Sequence, residues 1–189
     1  TLQEHAIAGL PTNMRATSLQ WNPSQTKIAF ANLLTSRVDL YVVDIATFTA
    51  TKINQLPLNI VTGGTFAWIT DNSLLYKATV ATAVKPEKPL APTGPVVQES
   101  LGKKAAARTY QDLIKSGYDE ALFDYYAKSQ LVFTDFTTET KLGEPLIIKS
   151  FSLSPDNNYL LLQTIEKPFS YTVPAGEFPH TVKVTDLKG

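Results

Sequence analysis

The sequence predicts an all-β protein, a partial β-propeller of about three four-stranded antiparallel blades with a short-helix insertion. The first observation is a hairpin pattern that occurs three times. The copies are WNPSQTKIAF at 21–30, FAWITDNSLLY at 66–76 and FSLSPDNNYLLLQ at 151–163. In each copy an apolar run enters a polar turn and a second apolar run leaves it, which is typical of a β-hairpin.

The second observation is that further strands follow each hairpin in a fixed order, A-B-C-D. In the first repeat, strands A and B of the hairpin precede VDLYVVDI at 38–45 and a short strand at 49–53. The second repeat has its predicted strands at 65–68, 74–80, 130–136 and 137–142, and the third at 147–153, 159–165 and 181–187. The aspartates of VVDI, FTDF and VTDL (Asp44, Asp135 and Asp186) occupy matching places in strand C. This match supports one repeating unit.

The third observation is the spacing of the repeats. Trp21 and Trp68 are 47 residues apart, and Trp68 and Leu153 are 85 apart, which equals one repeat plus an insertion. A four-stranded unit of roughly 40–50 residues is typical of a propeller blade. We therefore predict blades at about 16–54, 64–142 and 147–189, the last incomplete. The alternative is a β-sandwich with long loops, which the recurring A-B-C-D order disfavours.

Two insertions occupy the same position in neighbouring repeats. The long insertion, 81–129, and the short insertion, 166–180, both separate strand B from strand C. Because B–C connections of a propeller emerge on one rim, together with the links between blades, we expect both insertions at one end of the molecule. Loops on a rigid scaffold commonly carry binding function.

Each insertion has its own character. The long insertion begins with a proline-rich segment, which predicts extended chain. A helix is predicted over 108–116, capped by Thr109 and ended by Gly117, and a second helix begins at Asp119 as its N-cap. The short insertion carries three aromatic residues among three prolines, which predicts a rigid loop.

The composition excludes several classes of function. The 17 basic and 17 acidic side chains balance, so neither a nucleic-acid partner nor a membrane partner is expected. No apolar run approaches the ~20 residues of a membrane span. The chain has no cysteine, which excludes disulfides, thiolate metal sites and cysteine nucleophiles. Residues 1–16 lack the pattern of a signal peptide, and the compartment stays undetermined: an exported bacterial protein is weakly favoured and a cytoplasmic one is possible.

No catalytic or metal-binding motif is visible. The chain has no G-x-S-x-G elbow, and His5 and His180 have no spaced partner, so both are interpreted as surface or loop histidines. Gly63 and Gly64 precede a strand, which indicates a turn between blades and not a phosphate loop. We therefore predict no catalytic residue, no metal ligand and no cofactor.

The hairpins, the strand C endings and the two insertions together resemble a known family. The runs that carry the resemblance are PTGPVVQESLGKKAAARTYQDLIKSGYDEALFDYYAKSQL at 92–131 and KPFSYTVPAGEFPHTVKVTDLKG at 167–189. Both are similar to the N-terminal propeller of prolyl oligopeptidase-type serine peptidases, in the glutamyl endopeptidase-like branch. The match extends over most of the chain.

The resemblance implies a two-domain enzyme. In that family a propeller covers a C-terminal α/β-hydrolase domain with a Ser-Asp-His triad, and it admits peptides while excluding large folded proteins. This chain covers about two and three-quarter blades and contains no hydrolase domain, so no catalytic residue carries over and the chain alone should be inactive. The implied partners are peptide substrates and the hydrolase domain of the same parent chain.

The glutamyl endopeptidase-like resemblance also points to two substrate-binding candidates. An acidic side chain requires a cation, and Arg108 is the best candidate in the long insertion because a guanidinium can bind a carboxylate through two hydrogen bonds. Tyr110 could line the same surface.

Two further expectations concern the chain as a whole. A stand-alone propeller-type scaffold that binds proteins or peptides is the alternative function, and a G-x-S-x-G segment further along the gene would decide against it. The end blades expose apolar faces and a strand edge, so self-association is expected.

Overall fold

The computed structural model describes residues 2–89, 110 and 112–187 of the chain. This part contains ten β-strands, one α-helix and one short 3-10 helix. The strands are β1 (Ala16–Trp21), β2 (Lys27–Leu33), β3 (Val38–Asp44), β4 (Thr49–Lys52), β5 (Phe66–Thr70), β6 (Ser73–Thr79), β7 (Lys128–Thr134), β8 (Glu139–Leu153), β9 (Tyr159–Ile165) and β10 (His180–Asp186). The α-helix, α1, is Gly117–Ala127, and the 3-10 helix is Ala175–Glu177. The predicted all-β class with a short-helix insertion is confirmed.

Two antiparallel sheets contain all of these strands. The first is a four-stranded meander in the order β1-β2-β3-β4, which is the strand arrangement predicted for a blade. The second has six strands in the order β10-β9-β8-β7-β6-β5. Neighbouring strands are consecutive in the chain, because each predicted hairpin turn brings the next strand back beside the last.

One predicted strand boundary is wrong. The sequence predicts separate strands at 137–142 and 147–153, but the structure joins them in β8. Residues 139–142, 146 and 147 of β8 pair with β7, and its residues from Ile148 to Leu153 pair with β9. Gly143, with φ +58°, takes the left-handed conformation that the irregular register requires. The Gln130 side chain keeps the strand continuous there, since its Nε2 donates to the carbonyls of Leu142 at 2.9 Å and Gly143 at 3.0 Å.

The helix predictions in the long insertion also need correction. The described part of the first predicted helix, 110 and 112–116, is not helical, and Asp112 has φ +58°; the rest, with its proposed cap Thr109, lies outside the described residues. The second helix begins at Gly117 and not after Asp119. Ser116 is its N-cap, because its hydroxyl accepts from the Asp119 backbone N–H at 3.2 Å. Gly117 therefore starts a helix where it was predicted to end one.

The two sheets pack against each other through a common apolar core. Leu40 of the first sheet and Leu74, Tyr76 and Val132 of the second are all fully buried in it. Burial of such side chains contributes about 1.5–3 kcal/mol each. This packing supplies the second face that a single meander could not bury alone.

The hairpin turns add polar contacts, first between the two sheets and then within the six-stranded sheet. In the first turn, the Asn22 side chain and the Ser24 backbone N–H both donate to one carboxylate oxygen of Asp71, each at 2.8 Å. The hydrogen bond from Ser24 lowers the pKa of Asp71. In the third turn, the Asn157 side chain donates to the carbonyl of Ile69 at 2.7 Å. The repeated turns are therefore linked to one another along one end of the sheets.

The segment before β1 covers the outer edge of the first sheet. Ala8 pairs with Thr49 in a parallel bridge, with the Ala8 N–H donating to Phe48 and its carbonyl accepting from Ala50, both at 2.8 Å. Gly9 has φ +75°, and a Cβ there would lie 2.5 Å from the Ala50 carbonyl oxygen, so only glycine fits. The exposed ring of His5 stacks on Phe48 with centroids 4.2 Å apart. In the described ranges, no helix is long and apolar enough to cross a membrane.

Candidate functional site

The two insertions meet at one end of the six-stranded sheet, as the topology predicts. We call their shared apolar cluster the insertion core; its buried members are Ala127, Ile147, Ile165, Phe169 and Phe178. Phe123 on α1 packs against it from the long insertion. The helix is therefore held on the short insertion and on the ends of β8 and β9, so one rigid surface is formed from two distant parts of the chain.

Three phenylalanines form the centre of the insertion core. The ring of Phe123 meets Phe169 edge-on at 4.9 Å between centroids and Phe178 edge-on at 5.5 Å. Phe169 and Phe178 stack at 5.6 Å with an interplanar angle of 14°. Edge-to-face and stacked pairs each add about 0.5–1.5 kcal/mol beyond burial, so this cluster is well suited to fix the loop.

A cavity of about 540 Å³ lies beside the insertion core, and we call it the insertion cavity. Four segments surround it: the β2–β3 turn, the link between the sheets, the start of the long insertion and the end of α1. Its lining residues are Leu34, Thr35, Ser36, Arg37, Val38, Pro57, Leu58, Asn59, Ile60, Val61, Thr79, Val80, Ala81, Ala83, Tyr125, Tyr126 and Lys128. These are the connections that a propeller would place on one rim, and the volume falls within the range of ligand pockets.

Asn59 holds the link between the sheets against the end of α1. Its side-chain Nδ2 donates to the carbonyls of Tyr126 at 2.9 Å and Lys128 at 3.0 Å. Its backbone N–H donates to Lys77, and its Oδ1 accepts from the Val61 N–H. Asn59 is buried, and its side chain is hydrogen-bonded to the Tyr126 carbonyl. These hydrogen bonds therefore hold the backbone of Tyr126 beside the cavity.

Two cations line the insertion cavity, and each is paired with a carboxylate. Arg37 and Lys128 are the charged side chains among its lining residues. Arg37 pairs with the buried carboxylate of Asp39, which also has Lys52 3.4 Å away. Lys128 lies 3.3 Å from Asp124, which also has Lys167 3.2 Å away. Each carboxylate therefore faces two cations, one that lines the cavity and one that does not.

Tyrosine forms the aromatic part of the wall. Tyr126 is 46% exposed and meets Tyr125 edge-on at 4.9 Å. The ammonium of Lys85 lies 5.7 Å from the Tyr126 ring centroid. The hydrogen bond to Tyr126 raises the pKa of Lys85, so this side chain adds a third positive group near the cavity.

Only one of the two residues predicted from sequence to bind substrate can be compared with the cavity lining. Arg108 lies outside the described residues. Tyr110 is half-buried in chain without regular secondary structure and does not line the cavity. Arg37, Asn59 and Lys128 were missed by sequence reasoning, since they come from three separated segments and belong to no common motif.

Within the described part of the chain, no group of three or more His, Asp or Glu side chains could hold a metal ion. His180 begins β10, where its Nδ1 lies 3.3 Å from the Phe178 carbonyl oxygen. Asp119, which was predicted to be the N-cap of α1, lies inside the helix, and its carboxylate accepts from the Lys115 N–H at 3.0 Å. What the site offers chemically is recognition through charge, hydrogen bonds and aromatic surface.

We compared the chain with protein families, curated proteins and solved structures to find its relatives. No protein-family model matches it. A protein of Oryza sativa subsp. japonica, named probable glutamyl endopeptidase, chloroplastic, is 31% identical over 198 residues, covering 98% of this chain. An Arabidopsis thaliana protein of the same name is 34% identical over 198 residues, again covering 98%. The chain is a relative of the glutamyl endopeptidase-like proteins.

The chain spans about a fifth of each of these glutamyl endopeptidases, 21% of the rice protein and 20% of the Arabidopsis protein. The resemblance to the glutamyl endopeptidase-like branch is thereby confirmed along nearly the whole chain. The relationship describes a segment, so the activity of a complete relative is not transferred to it.

Solved structures show weaker likeness. A structure from a study of two prolyl endopeptidases is 12% identical, with 89% of this chain and 22% of that chain covered and a TM-score of 0.48. An acylaminoacyl peptidase in complex with a chloromethyl ketone is 14% identical, with coverages of 90% and 31% and a TM-score of 0.30. TolB from Acinetobacter baumannii is 17% identical, with coverages of 94% and 42% and a TM-score of 0.32. The fold described above rests on its own strand pairing.

Proposed function

We propose that the chain is the non-catalytic propeller portion of a serine peptidase. In this proposal it gates the access of peptides to a C-terminal α/β-hydrolase domain and helps to position them there. The blades are those expected from the sequence, at about 16–54, 64–142 and 147–189, with the insertions 81–129 and 166–180 on one rim. The observation that carries the proposal is the surface on which both insertions and the insertion cavity converge.

Two lines of support converge on this function. The matches to the relatives named glutamyl endopeptidases cover 98% of the chain. The insertion surface is rigid, because the phenylalanine cluster and Asn59 fix it, and it presents cations and tyrosines toward a cavity of ligand size. A recognition surface of this kind needs no catalytic group of its own.

The direct test is the protein sequence encoded after Gly189. A G-x-S-x-G segment several hundred residues further on, with later Asp and His partners, is the expected result. The chain alone should not hydrolyse chromogenic peptides, since no triad can be assembled from it. Absence of the downstream segment, or turnover by the isolated chain, would overturn the proposal.

A second candidate is a stand-alone scaffold that binds proteins or peptides without an enzyme domain. One observation favours it: four segments of this chain line the insertion cavity. The downstream sequence separates the two candidates, because only the first needs a hydrolase.

Arg108 and Tyr110 are proposed as contacts for an acidic substrate side chain in the enzyme with both domains. Arg108→Ala should lower kcat/KM for peptides with a glutamate at the cleavage site by about tenfold or more, because a charge-assisted hydrogen bond is lost. Peptides with glutamine at that site should be nearly unaffected, and Arg15→Ala serves as the control. Equal losses on both peptides, or no loss on either, would refute the assignment.

A further inference from the structure

We infer that the six-stranded sheet holds a second binding site, which we call the aliphatic pocket, and that its ligand is a free dipeptide with aliphatic side chains. The aliphatic pocket has a volume of about 380 Å³ and shares no lining residue with the insertion cavity. The inference therefore goes beyond the proposed function and does not rest on it.

The aliphatic pocket exists because the six-stranded sheet curls on itself. Ile69 of β5 and Leu160 of β9 belong to one buried apolar cluster, although three strands separate β5 from β9 in the sheet. The Asn157 side chain, in the turn before β9, donates to the Ile69 carbonyl at 2.7 Å and so holds the two ends of the curl together. The pocket adjoins this cluster, and its walls come from β7, β8, β9 and β10.

Aliphatic side chains form the walls of the pocket. None of the described lining residues is aromatic, and six are aliphatic: Leu131, Leu142, Leu146, Ile148, Leu160 and Leu162. Four of the six are buried by the fold itself. A cavity with such walls binds water poorly and apolar ligands well. Its volume lies in the range of small-molecule sites and leaves room for two aliphatic side chains.

The mouth of the pocket is formed where β8 leaves its ladder with β7. The residues at 143–145 have no partner on β7, although Leu142 before them and Leu146 after them are paired. Gly143 takes the left-handed conformation there, and the Gln130 side chain fixes the chain by donating to the carbonyls of Leu142 and Gly143. Glu144 is thereby held at one side of the mouth.

Opposite charges lie at the mouth. Glu144 and Lys183, which comes from β10, both line the pocket and are both exposed. Neither forms an ion pair with a described residue, so they do not neutralise each other. Asp186 also lines the pocket and already has an interaction of its own. The mouth therefore offers one ammonium and one carboxylate to a ligand.

This charge pattern decides the class of ligand. A free dipeptide brings its carboxylate to Lys183 and its ammonium to Glu144, while its side chains contact the aliphatic walls. A fatty acid would place its carboxylate near those of Glu144 and Asp186, and an alkylamine would meet the ammonium of Lys183. Because like charges disfavour both of these ligands, the pocket selects a zwitterion.

The test is a titration of the 189-residue chain with the dipeptide Leu-Leu, followed by methyl NMR. Saturable shifts are expected for the methyl signals of Leu131, Leu160 and Leu162. The signals of Leu40, in the core between the sheets, should not change. Gly-Gly should bind at least about a hundredfold more weakly, because it buries no aliphatic side chain. Acetyl-Leu-Leu-amide, which has no terminal charges, should bind about tenfold more weakly.

Two results of this titration would overturn the inference. One is the absence of saturable shifts with Leu-Leu. The other is binding of either control compound as tightly as Leu-Leu, since the first control lacks the aliphatic side chains and the second lacks the terminal charges.

A set of variants tests the charged mouth. Lys183→Gln and Glu144→Gln should each weaken binding of Leu-Leu about threefold, because each removes one exposed ion pair with the ligand, and neither should change the affinity for acetyl-Leu-Leu-amide. Lys141→Gln is the matched control, since Lys141 is an exposed lysine of β8 that does not line the pocket. Circular dichroism verifies that the variants fold. Equal weakening by Lys141→Gln and Lys183→Gln would contradict recognition of the ligand by the mouth.

Discussion

Phe169→Ala is expected to lower the free energy of unfolding by about 3 kcal/mol, because it removes the ring at the centre of the insertion core. Phe169 is 4% exposed and contacts both Phe123 and Phe178. The loss combines the transfer of a buried ring to water with the cavity left between the remaining two rings. Urea unfolding of the variant and the original chain measures it.

Tyr159→Ala is the matched control for this experiment. It also removes an aromatic ring, but Tyr159 is 53% exposed on β9, so the expected change is within about 0.5 kcal/mol. Hydrogen exchange adds a local measurement: the amides of α1 should exchange faster in Phe169→Ala, because the helix loses its contact with the short insertion. A loss below about 1 kcal/mol, or unchanged exchange in α1, would show that the insertions are held together by other contacts.

The stability of the chain is expected to increase by about 2 kcal/mol between roughly pH 7.5 and 9.5, owing to Lys77. This side chain is fully buried on β6. Its ammonium donates to the carbonyl and hydroxyl oxygens of Thr62 and to the Gly63 carbonyl, all at 2.8 Å. No ion pair among the described residues involves it. Burial lowers the pKa of Lys77 from 10.5 to about 8.

The direction of the effect follows from proton binding. Between pH 8 and 10.5 the unfolded chain keeps the proton on Lys77 while the folded chain loses it, so stability rises with pH across this window. The oxygens that accept from the ammonium favour its charged form and so limit the size of the change. Burial, and next the hydrogen bond to Glu139, raise the pKa of Tyr76, which acts in the opposite direction above about pH 10. Measurements below that pH therefore isolate the lysine.

Lys77→Met is the variant that assigns the effect. Methionine fills a similar volume without a charge, so the increase of the free energy of unfolding between roughly pH 7.5 and 9.5 should disappear. Lys149→Met removes a lysine whose Nζ contacts the Gly176 carbonyl at the surface, and it should leave the increase intact. An equal pH dependence in Lys77→Met and the original chain would show that Lys77 does not cause it.

Most of the strand layout could be predicted, because alternation and turn residues act locally. The strand predicted over 159–165 is β9 itself, and β3 and β4 each end one residue before the predicted ends of 38–45 and 49–53. The continuity of β8 could not be predicted. Gly143 and Pro145 are typical of a turn, and only the tertiary contact of the Gln130 side chain with the nearby carbonyls shows otherwise.

One part of the candidate site could likewise be predicted from the sequence, and another part could not. That both insertions lie at one end follows from topology, since each begins after strand B. The cavity wall does not follow from any pattern, because Arg37, Asn59 and Lys128 are brought together by sheet packing. The start of α1 was missed because Ser116 precedes a glycine, which normally signals the end of a helix.

The continuous β8 also determines where the molecule can bend. Because its two halves pair with β7 and β9, backbone hydrogen bonds link the strands from β5 to β10 in an unbroken series. The first meander contacts the six-stranded sheet through side-chain packing and turn hydrogen bonds only. We therefore expect the interface between the two sheets to deform more easily than either sheet. The insertion cavity lies across this interface, where Arg37 lines it from the first sheet and Lys128 from the second.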